Sequence, residues 1–190
     1  MDNYKIVVAD SDRKNREMIC AMLIARGYKV YQAHDSGEVL RVSRSLFPDL
    51  VIMDTGLMGI NAFNTARILE EDKVSNVIFI SNKVDSEFYE QLKNMNIFAY
   101  VTKPIMPEQL YQTVEFSINS MLKMNDLQLK IMNLETELKN RKLIDKAKGI
   151  VMKKLKISEE DAYKYLRKKS MDLAAPMYKV AANIIEKYGT

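Results

Sequence analysis

The sequence Leu50-Val51-Ile52-Met53-Asp54 places an acid directly after four consecutive apolar residues. A short apolar run of this kind, bounded by Pro48-Asp49, is typical of a strand buried on both faces of a parallel sheet. Similar β-rich runs precede and follow it, and helical runs separate them. These further strand candidates span residues 5–9, 28–33, 77–80 and 98–101.

Helical patterns fill the segments between the five strand candidates. They cover residues 13–26, 37–46, 62–71 and 86–95, and a fifth helix starts near Pro107. Strands that alternate with helices predict an α/β fold. We therefore expect a doubly wound, five-stranded parallel sheet with helices on both faces and right-handed crossovers.

Four polar residues stand where the predicted strands end. Asp10 follows the first strand and Asp54 the third, while Ser81 and Lys103 follow the fourth and fifth. Ligands of parallel α/β sheets bind at the carboxyl ends of the strands. Two acids, a hydroxyl and a lysine at one edge therefore predict a functional site there.

A polar segment over residues 117–142 follows the sheet domain without a Pro- or Gly-rich linker, so we expect the fifth helix to continue through it. Its apolar residues recur at alternating spacings of three and four. They are Met124, Leu127, Ile131, Leu134 and Leu138. This short seam predicts a coiled-coil homodimer; the alternative is a single amphipathic helix folded back on its own domain.

The remainder, residues 143–190, predicts a small all-α domain of three helices, after a first domain over 1–116 and the linker helix over 117–142. The first helix starts near Leu143, the second follows the N-cap Ser158 with Asp161 three residues later, and the third starts near Pro176 and ends at Gly189.

Charge divides unevenly along the chain. Residues 1–116 hold 13 Lys and Arg against 16 Asp and Glu, a net −3, whereas residues 117–190 hold 16 against 9, a net +7. The basic C-terminal part indicates a nucleic-acid partner.

No apolar run is long enough to span a bilayer, which predicts a cytoplasmic protein without a membrane partner. The only histidine, His34, has no visible partner, so we expect no metabolic enzyme.

Residues 1–120 resemble the receiver domain of two-component response regulators, which has a flavodoxin-like fold. The carrying residues are Ala9-Asp10-Ser11-Asp12, Pro48 to Asp54, Gly59, Ser81, Tyr100 and Val101-Thr102-Lys103-Pro104-Ile105. The resemblance implies a sensor histidine kinase as partner and Asp54 as the phosphoacceptor. It also implies Ser81 as the switch hydroxyl, Tyr100 as the coupled aromatic switch and a cis Lys103-Pro104 bond.

The same resemblance implies a Mg²⁺ ion held by Asp10 and Asp54, which with Lys103 would neutralise the transferred phosphoryl group. Receivers usually carry two adjacent acids after the first strand. Here Ser11 takes the second position and Asp12 comes one place later. Because the second acid normally ligates the metal, this departure bears on Mg²⁺ affinity. The alternative is a receiver-shaped dimerisation module that takes no phosphate.

Residues 141–182 resemble the ANTAR domain, the RNA-binding module of AmiR/NasR-type antiterminators. The carrying residues are Ala147-Lys148-Gly149-Ile150-Val151-Met152, Ser158 to Tyr163, Leu166-Arg167, Met171-Asp172 and Val180-Ala181. The third helix reads as core, because its apolar stripe is broad and its charges are few. The resemblance implies that a dimer binds hairpin RNA.

Seven residues are the candidates for RNA contact. Gly149 lies inside a helical run, where glycine costs about 1 kcal/mol relative to alanine; with Ala147 and Lys148 it predicts close approach of the RNA loop. Arg167, with Lys153 and Lys168, is expected to contact phosphates or bases. Tyr163 is expected to stack on a base; core packing beside Ala162 and Leu166 is the alternative.

These features together predict a signal-responsive transcription antiterminator. The receiver takes the input, the linker helix forms the dimer, and the dimer binds paired RNA hairpins. Two alternatives remain open. One is a DNA-binding response regulator, and the other is a phosphate-independent antiterminator that a partner protein controls.

Overall fold

Five parallel strands form one sheet in the computed structural model, which describes residues 4–93, 95, 97 and 99–188. Their order is β2-β1-β3-β4-β5. The strands are β1 (Lys5–Ala9), β2 (Lys29–Ala33), β3 (Leu50–Asp54), β4 (Asn76–Ser81) and β5 (Ala99–Thr102). The predicted α/β fold is confirmed; Phe98, the expected first residue of β5, lies outside the described residues.

Four helices connect the strands: α1 (Arg13–Ala25), α2 (Ser36–Leu46), α3 (Ala62–Glu71) and α4 (Ser86–Leu92). Each begins after a polar cap, since Asp12, Asp35, Asn61 and Asp85 accept backbone N–H groups of the first turn. The α1 helix is followed by Gly27, whose φ of 90° favours glycine. The expected extension of α4 to Met95 passes through Asn94, which lies outside the described residues.

The sheet is apolar on both faces because successive side chains of a strand point in opposite directions. Val7 and Phe79 lie in the core on one face, where α2, α3 and α4 residues cover them. Ile6 and Ile78 lie in the core on the other face, which α1 and the start of the fifth helix complete. The buried strand β3 therefore contributes side chains to both cores.

The fifth helix, α5, runs without a break from Pro107 to Leu155 over 49 residues. The expectation of a separate helix starting near Leu143 was therefore wrong. Residues 138–148 contain no Gly or Pro and are mostly good helix formers, so nothing in the backbone ends the helix there. Within the part of the chain that the structure describes, no helix has both the length and the apolar character needed to cross a membrane.

The chain divides into two compact units, residues 1–124 and 125–190. In the second unit, which we call the output bundle, the end of α5 packs with α6 (Glu159–Asp172) and α7 (Met177–Tyr188). The predicted cap is confirmed: the Asp161 N–H donates to Ser158 Oγ over 3.2 Å, and that hydroxyl donates back to Asp161 Oδ2 over 2.7 Å. The expected helix stop at Gly189 lies beyond the described residues.

Candidate functional site

The strand ends bring Asp10, Asp54 and Lys103 together at one edge of the sheet, as predicted. Lys103 Nζ lies 3.3 Å from Asp10 Oδ2 and forms an ion pair with Asp54 Oδ2. These residues follow β1, end β3 and follow β5, so the carboxyl ends of parallel strands in one sheet position all of them, although β4 separates β3 from β5. We call this group the acidic site.

Burial strengthens the electrostatic interactions among the charged groups of the acidic site. Asp10 is 3 % exposed and Asp54 8 % exposed, so both carboxylates depend on partners for stability. Asp54 Oδ1 accepts the Gly56 N–H over 2.8 Å. Burial lowers the pKa of Lys103, but the hydrogen bond and charge of Asp54, with Asp10 adding to them, raise that pKa above its ordinary value. The lysine therefore stays protonated at neutral pH.

Ser81 ends β4 beside the acidic site and is 3 % exposed. Its hydroxyl donates to the Lys83 carbonyl over 2.7 Å and accepts from Thr55 Oγ1 over 3.1 Å. Tyr100, on the neighbouring strand, is half-buried. The hydroxyls of Tyr89 and Tyr100 lie 2.9 Å apart, and this hydrogen bond raises the pKa of Tyr100. The hydroxyls of Ser81 and Tyr100, the two expected switch residues, are therefore already hydrogen-bonded. These hydrogen bonds would have to break before either side chain could take a new position.

Ser11 occupies the position where receivers usually have a second acid, and it joins two loops. Its hydroxyl donates to the His34 carbonyl over 3.1 Å and accepts the Met58 N–H over 2.9 Å. Asp12 caps α1 instead, accepting the N–H groups of Lys14 and Asn15. The Asn15 hydrogen bond is the main reason why the pKa of Asp12 is lowered, and the Lys103 charge contributes less.

The carboxylate oxygens of the acidic site suit a metal ion that takes few of its ligands from the protein. The described residues hold no group of three or more His, Cys, Asp or Glu placed to share one ion. Asp10 and Asp54 together carry one more negative charge than Lys103 neutralises. Mg²⁺ often binds through one or two carboxylates and keeps several waters. The residues present therefore fit a Mg²⁺ ion that is weakly held by the protein alone.

His34 has partners that the sequence did not reveal. Its Nδ1 lies 2.5 Å from Glu38 Oε2, and its Nε2 lies 3.1 Å from Asp35 Oδ2. The expectation that His34 has no partner was wrong, because the β2–α2 turn brings the first turn of α2 back to it. The side chain is exposed, as expected of a surface residue.

The predicted RNA-contact residues of α5 divide between core and surface. Ala147 is fully buried with Val151, Ala162 and Leu166, so its side chain is a core residue and the expected loop contact through it was wrong. Gly149 is different, because a Cβ built there would meet nothing within 4 Å. Packing within the described chain therefore gives no reason for this glycine.

Lys148 ties α5 to α6. Its Nζ lies 2.8 Å from Asp145 Oδ1 and 2.7 Å from Glu159 Oε1, and its side chain is 16 % exposed. The hydrogen bonds to Asp145 and Glu159 raise the pKa of Lys148. Its charge is thus largely satisfied inside the protein, and the sequence motif alone did not indicate this.

The remaining predicted contacts are on the surface of the output bundle. Arg167 and Lys168 on α6, and Lys153 near the end of α5, are all exposed. Tyr163 is 45 % exposed, whereas its neighbour Ala162 is fully buried. Packing in the bundle core, the alternative considered for Tyr163, was therefore wrong.

Sequence reasoning missed several residues that shape both sites. Thr55 and Gly56 contact Ser81 and Asp54, and their position directly after a strand end was an available signal. Asn140 and Arg141 line a groove with Tyr163. Nothing in their spacing indicated this, because the groove forms only when α6 packs on α5.

The order of the sheet and the acidic site at its carboxyl edge define the receiver class of α/β domains. Residues 6–115 match the response regulator receiver domain family, which is more than half of the chain, and the chain belongs to that family. Residues 132–185 match the ANTAR domain. The molecule is therefore a response regulator with an ANTAR output domain.

Relatives of known name share different parts of this arrangement. The transcriptional regulatory protein PdtaR of Mycobacterium tuberculosis H37Rv is 25% identical over 187 residues, covering 98% of this chain and 91% of its own. The DNA-binding response regulator MtrA of Mycolicibacterium smegmatis is 29% identical over 110 residues, covering 58% of this chain and 48% of its own.

Solved structures support the fold of the first unit. The CheY-like receiver domain protein of Methanospirillum hungatei is 20% identical, with a TM-score of 0.60, and covers 65% of this chain and 99% of its own. Chemotaxis response regulator CheY4 of Vibrio cholerae is 22% identical, with a TM-score of 0.56, and covers 61% of this chain and 99% of its own. At these identities the likeness concerns the fold alone.

Proposed function

We propose that this response regulator accepts a phosphoryl group at Asp54 from a sensor histidine kinase and acts as an RNA-binding transcription antiterminator. The exposed face of the ANTAR domain, with Tyr163, Arg167 and Lys168 on α6, is the observation that carries this proposal. Selection from a library of RNA hairpins with one fixed stem and randomised loops tests it. Enrichment of particular loops supports it; no hairpin binding above that of duplex DNA contradicts it.

The acidic site has the groups that phosphoryl transfer requires. A carboxylate oxygen of Asp54 attacks phosphorus, the bond from phosphorus to the donor breaks, and an acyl phosphate forms. Lys103, which is already paired with Asp54, neutralises charge on the transferred group. The Ser81 hydroxyl then turns from the Lys83 carbonyl to the new phosphate oxygens, which is how the modification would reach the rest of the domain.

Asp10 and Asp54 would hold a Mg²⁺ ion, and when bound it supplies positive charge to the phosphoryl oxygens. With Ser11 in place of an acid, the protein offers one carboxylate fewer than the family pattern. We therefore propose that this receiver binds Mg²⁺ weakly until the phosphoryl donor adds its own oxygens.

Replacing Ser11 by Asp should tighten Mg²⁺ binding by about tenfold, since this factor corresponds to only about 1.4 kcal/mol and a nearby unit charge can supply it. Isothermal titration calorimetry with MgCl₂ measures the affinity directly. Ser11→Asn is the matched control, because it also loses the hydroxyl that joins the His34 carbonyl and the Met58 N–H but adds no charge. Equal Mg²⁺ affinities for the two variants would contradict the assigned role of Ser11.

The basic surface of the output bundle supports RNA as the partner. Arg167 and Lys168 are adjacent on α6, and Lys153 adds a third exposed cation from α5. Gly149 leaves the α5 backbone open to close approach, because no side chain of the described chain fills the space above it. A loop whose backbone passes these cations and reaches the glycine would use all of these features.

Replacing Arg167 by Ala should weaken hairpin binding and reduce the slope of log affinity against log salt by about 1, because one phosphate contact is lost. Filter binding of a selected hairpin between low and moderate salt measures both values. Lys179→Ala is the matched control: this exposed cation lies on α7, outside the proposed surface. A salt slope that Arg167→Ala leaves unchanged would exclude a phosphate contact.

Dimer formation through α5 would let two output bundles bind two adjacent hairpins. Holding those hairpins prevents an overlapping terminator from forming, so transcription continues. By linkage, RNA that favours the dimer must itself be bound more tightly by the dimer.

A phosphate-independent antiterminator controlled by a partner protein is the second candidate, and Ser11 is the observation that favours it. Insensitivity of regulation to Asp54→Ala in cells, together with a regulator that co-purifies with the chain, would support it. A DNA-binding regulator has less support, because the match to MtrA covers 58% of this chain and the match to PdtaR 98%.

A further inference from the structure

Two hydroxyl groups form a hydrogen-bonded chain at the edge of the sheet that carries the acidic site. Thr55 directly follows Asp54, and its hydroxyl donates to Ser81 Oγ over 3.1 Å. The Ser81 hydroxyl in turn donates to the Lys83 carbonyl over 2.7 Å. The residue next to the proposed phosphoacceptor therefore contacts the expected switch hydroxyl directly.

The backbone holds the Thr55 side chain in place beside Ser81. The Thr55 N–H donates to the carbonyl of Ile80 over 2.9 Å, and Ile80 precedes Ser81 at the end of β4. A β-branched side chain such as that of threonine also has few allowed rotamers. The direction of the Thr55 hydroxyl is thus fixed by its own main chain and does not depend on the bond to Ser81.

The bond from Thr55 is not needed to satisfy the Ser81 oxygen. Ser81 Oγ also accepts the Lys83 N–H over 3.2 Å, so without Thr55 this buried hydroxyl would still have one donor and one acceptor as partners. Hydrogen bonds in a chain polarise one another, and the effect is larger where water is excluded. Because Ser81 is 3 % exposed, the Thr55 bond makes the Ser81 hydroxyl a stronger donor.

We propose that Thr55 is a positioning residue for phosphoryl transfer, whose hydroxyl orients Ser81 and strengthens the hydrogen bond that Ser81 donates to an acyl phosphate at Asp54. In the resting chain the Ser81 proton points at the neutral Lys83 carbonyl. With a phosphoryl group present, that proton turns to a phosphoryl oxygen, while the bonds that Ser81 Oγ accepts from Thr55 and from the Lys83 N–H remain.

The two states of the site differ in how much they gain from Thr55. A hydrogen bond to an ionised acceptor is about twice as strong as a bond between neutral groups, and the Thr55 hydroxyl strengthens whichever bond Ser81 donates. Thr55 therefore stabilises the phosphorylated state more than the resting state, which shifts the equilibrium toward the former. This inference rests on the proposed phosphoryl transfer and adds a second residue to its switch.

Beryllium fluoride is the probe for this role, because it binds a carboxylate as a stable analogue of a phosphoryl group. Isothermal titration calorimetry of the whole chain in excess MgCl₂ measures its affinity. Thr55→Val keeps the size and branching of the side chain but removes the hydroxyl, so the affinity should fall by about threefold. Thr55→Ser keeps the hydroxyl and should retain most of the wild-type affinity.

A double-mutant cycle with Ser81→Ala separates this role from a general structural one. Ser81→Ala alone should weaken beryllium fluoride binding by about tenfold, because the bond to the charged group is lost. In that background Thr55→Val should cost almost nothing more, since its hydroxyl acts through Ser81. A structural contribution of Thr55 would instead add its loss in both backgrounds.

Thr65→Val is the matched control. It removes the hydroxyl of a fully buried threonine in the same unit, but that hydroxyl donates to the Asn61 carbonyl in the first turn of α3 rather than to the acidic site. Its beryllium fluoride affinity should equal that of wild type.

Equal affinities of Thr55→Val and wild type would overturn the role of Thr55 and leave the proposed phosphoryl transfer intact. A higher affinity would overturn it as well, since Thr55 would then hold Ser81 in its resting orientation. The same threefold loss in the Ser81→Ala background would show that Thr55 acts by another route. If wild type takes neither beryllium fluoride nor a phosphoryl group from acetyl phosphate, the proposed function itself fails, and the role of Thr55 fails with it.

Discussion

Asp54→Asn should show no phosphoryl mass gain when the purified chain is incubated with acetyl phosphate and MgCl₂, whereas wild type gains one phosphoryl group. The amide has no anionic oxygen to attack phosphorus, so the expected effect is complete loss rather than a slower rate. Intact-protein mass spectrometry under acid measures the gain. Treatment with hydroxylamine should remove it, because an acyl phosphate is cleaved by that nucleophile.

The variant should remain folded, so loss of labelling can be assigned to chemistry. Lys103 keeps Asp10 as a partner when the Asp54 charge is removed, and Asn keeps the oxygen that accepts the Gly56 N–H. Asp35→Asn is the matched control, since Asn caps a helix as well as Asp does and this residue caps α2. Labelling of Asp54→Asn equal to wild type would show that another residue is the acceptor.

Absence of labelling in wild type would have a different meaning. It would favour the phosphate-independent candidate, in which Ser11 joins the His34 carbonyl to the Met58 N–H and replaces a metal-binding acid with a fixed contact between loops. Labelling that appears in Ser11→Asp alone would then locate the cause at this one residue.

The acidic site could be predicted from the sequence because its geometry follows from a simple rule. Parallel strands end at a common edge, so a residue after each strand must lie there. Asp10, Asp54 and Lys103 needed no further information, and the observed ion pairs agree. The contacts of Ser11 could not be predicted, because its partners come from two loops whose positions depend on the finished fold.

The output bundle also has features that could not be predicted from the sequence. Ala147 and Gly149 are neighbours in one motif, yet helix packing buries the first and leaves the second open. Successive residues of a helix differ by about 100° in direction, so a motif read as one contact surface is divided between core and solvent. The seam on α5, by contrast, was predicted from residue spacing alone. The sequence could not show whether the seam side chains contact other residues of the same chain.

Leu127→Lys with Leu134→Lys should convert the chain to a monomer and reduce its affinity for a two-hairpin RNA by about 10² or more. The seam residues Met124, Leu127, Ile131, Leu134 and Leu138 are 45–64 % exposed and are therefore available to a second copy. Burying a Leu or Ile side chain contributes about 1.5–3 kcal/mol. Because roughly half of each seam side chain is already covered in the single chain, each gains only about half of that value in a dimer. The total over ten side chains is then of the same order as the association cost of about 4–15 kcal/mol, so two charges per helix should be enough to separate the dimer.

Affinity for a single hairpin should be unchanged in this variant, because each output bundle still folds and binds by itself. The difference between the two RNAs measures the effective concentration that the dimer provides, which is the source of a gain of about 10² to 10⁴ in linked binding. Sedimentation velocity gives the oligomeric state, and titration with one-hairpin and two-hairpin RNAs gives the affinities.

Leu129→Lys with Met132→Lys is the matched control, since these side chains are 61 % and 62 % exposed but do not follow the seam spacing. If the seam forms the dimer, the control remains dimeric and keeps the two-hairpin advantage, although it carries the same added charge. If the control separates and the seam variant does not, the dimer uses the other side of α5, and the heptad interpretation is wrong. Equal affinity of wild type for one and two hairpins would remove the reason for a dimer, and with it the proposed link between α5 and antitermination.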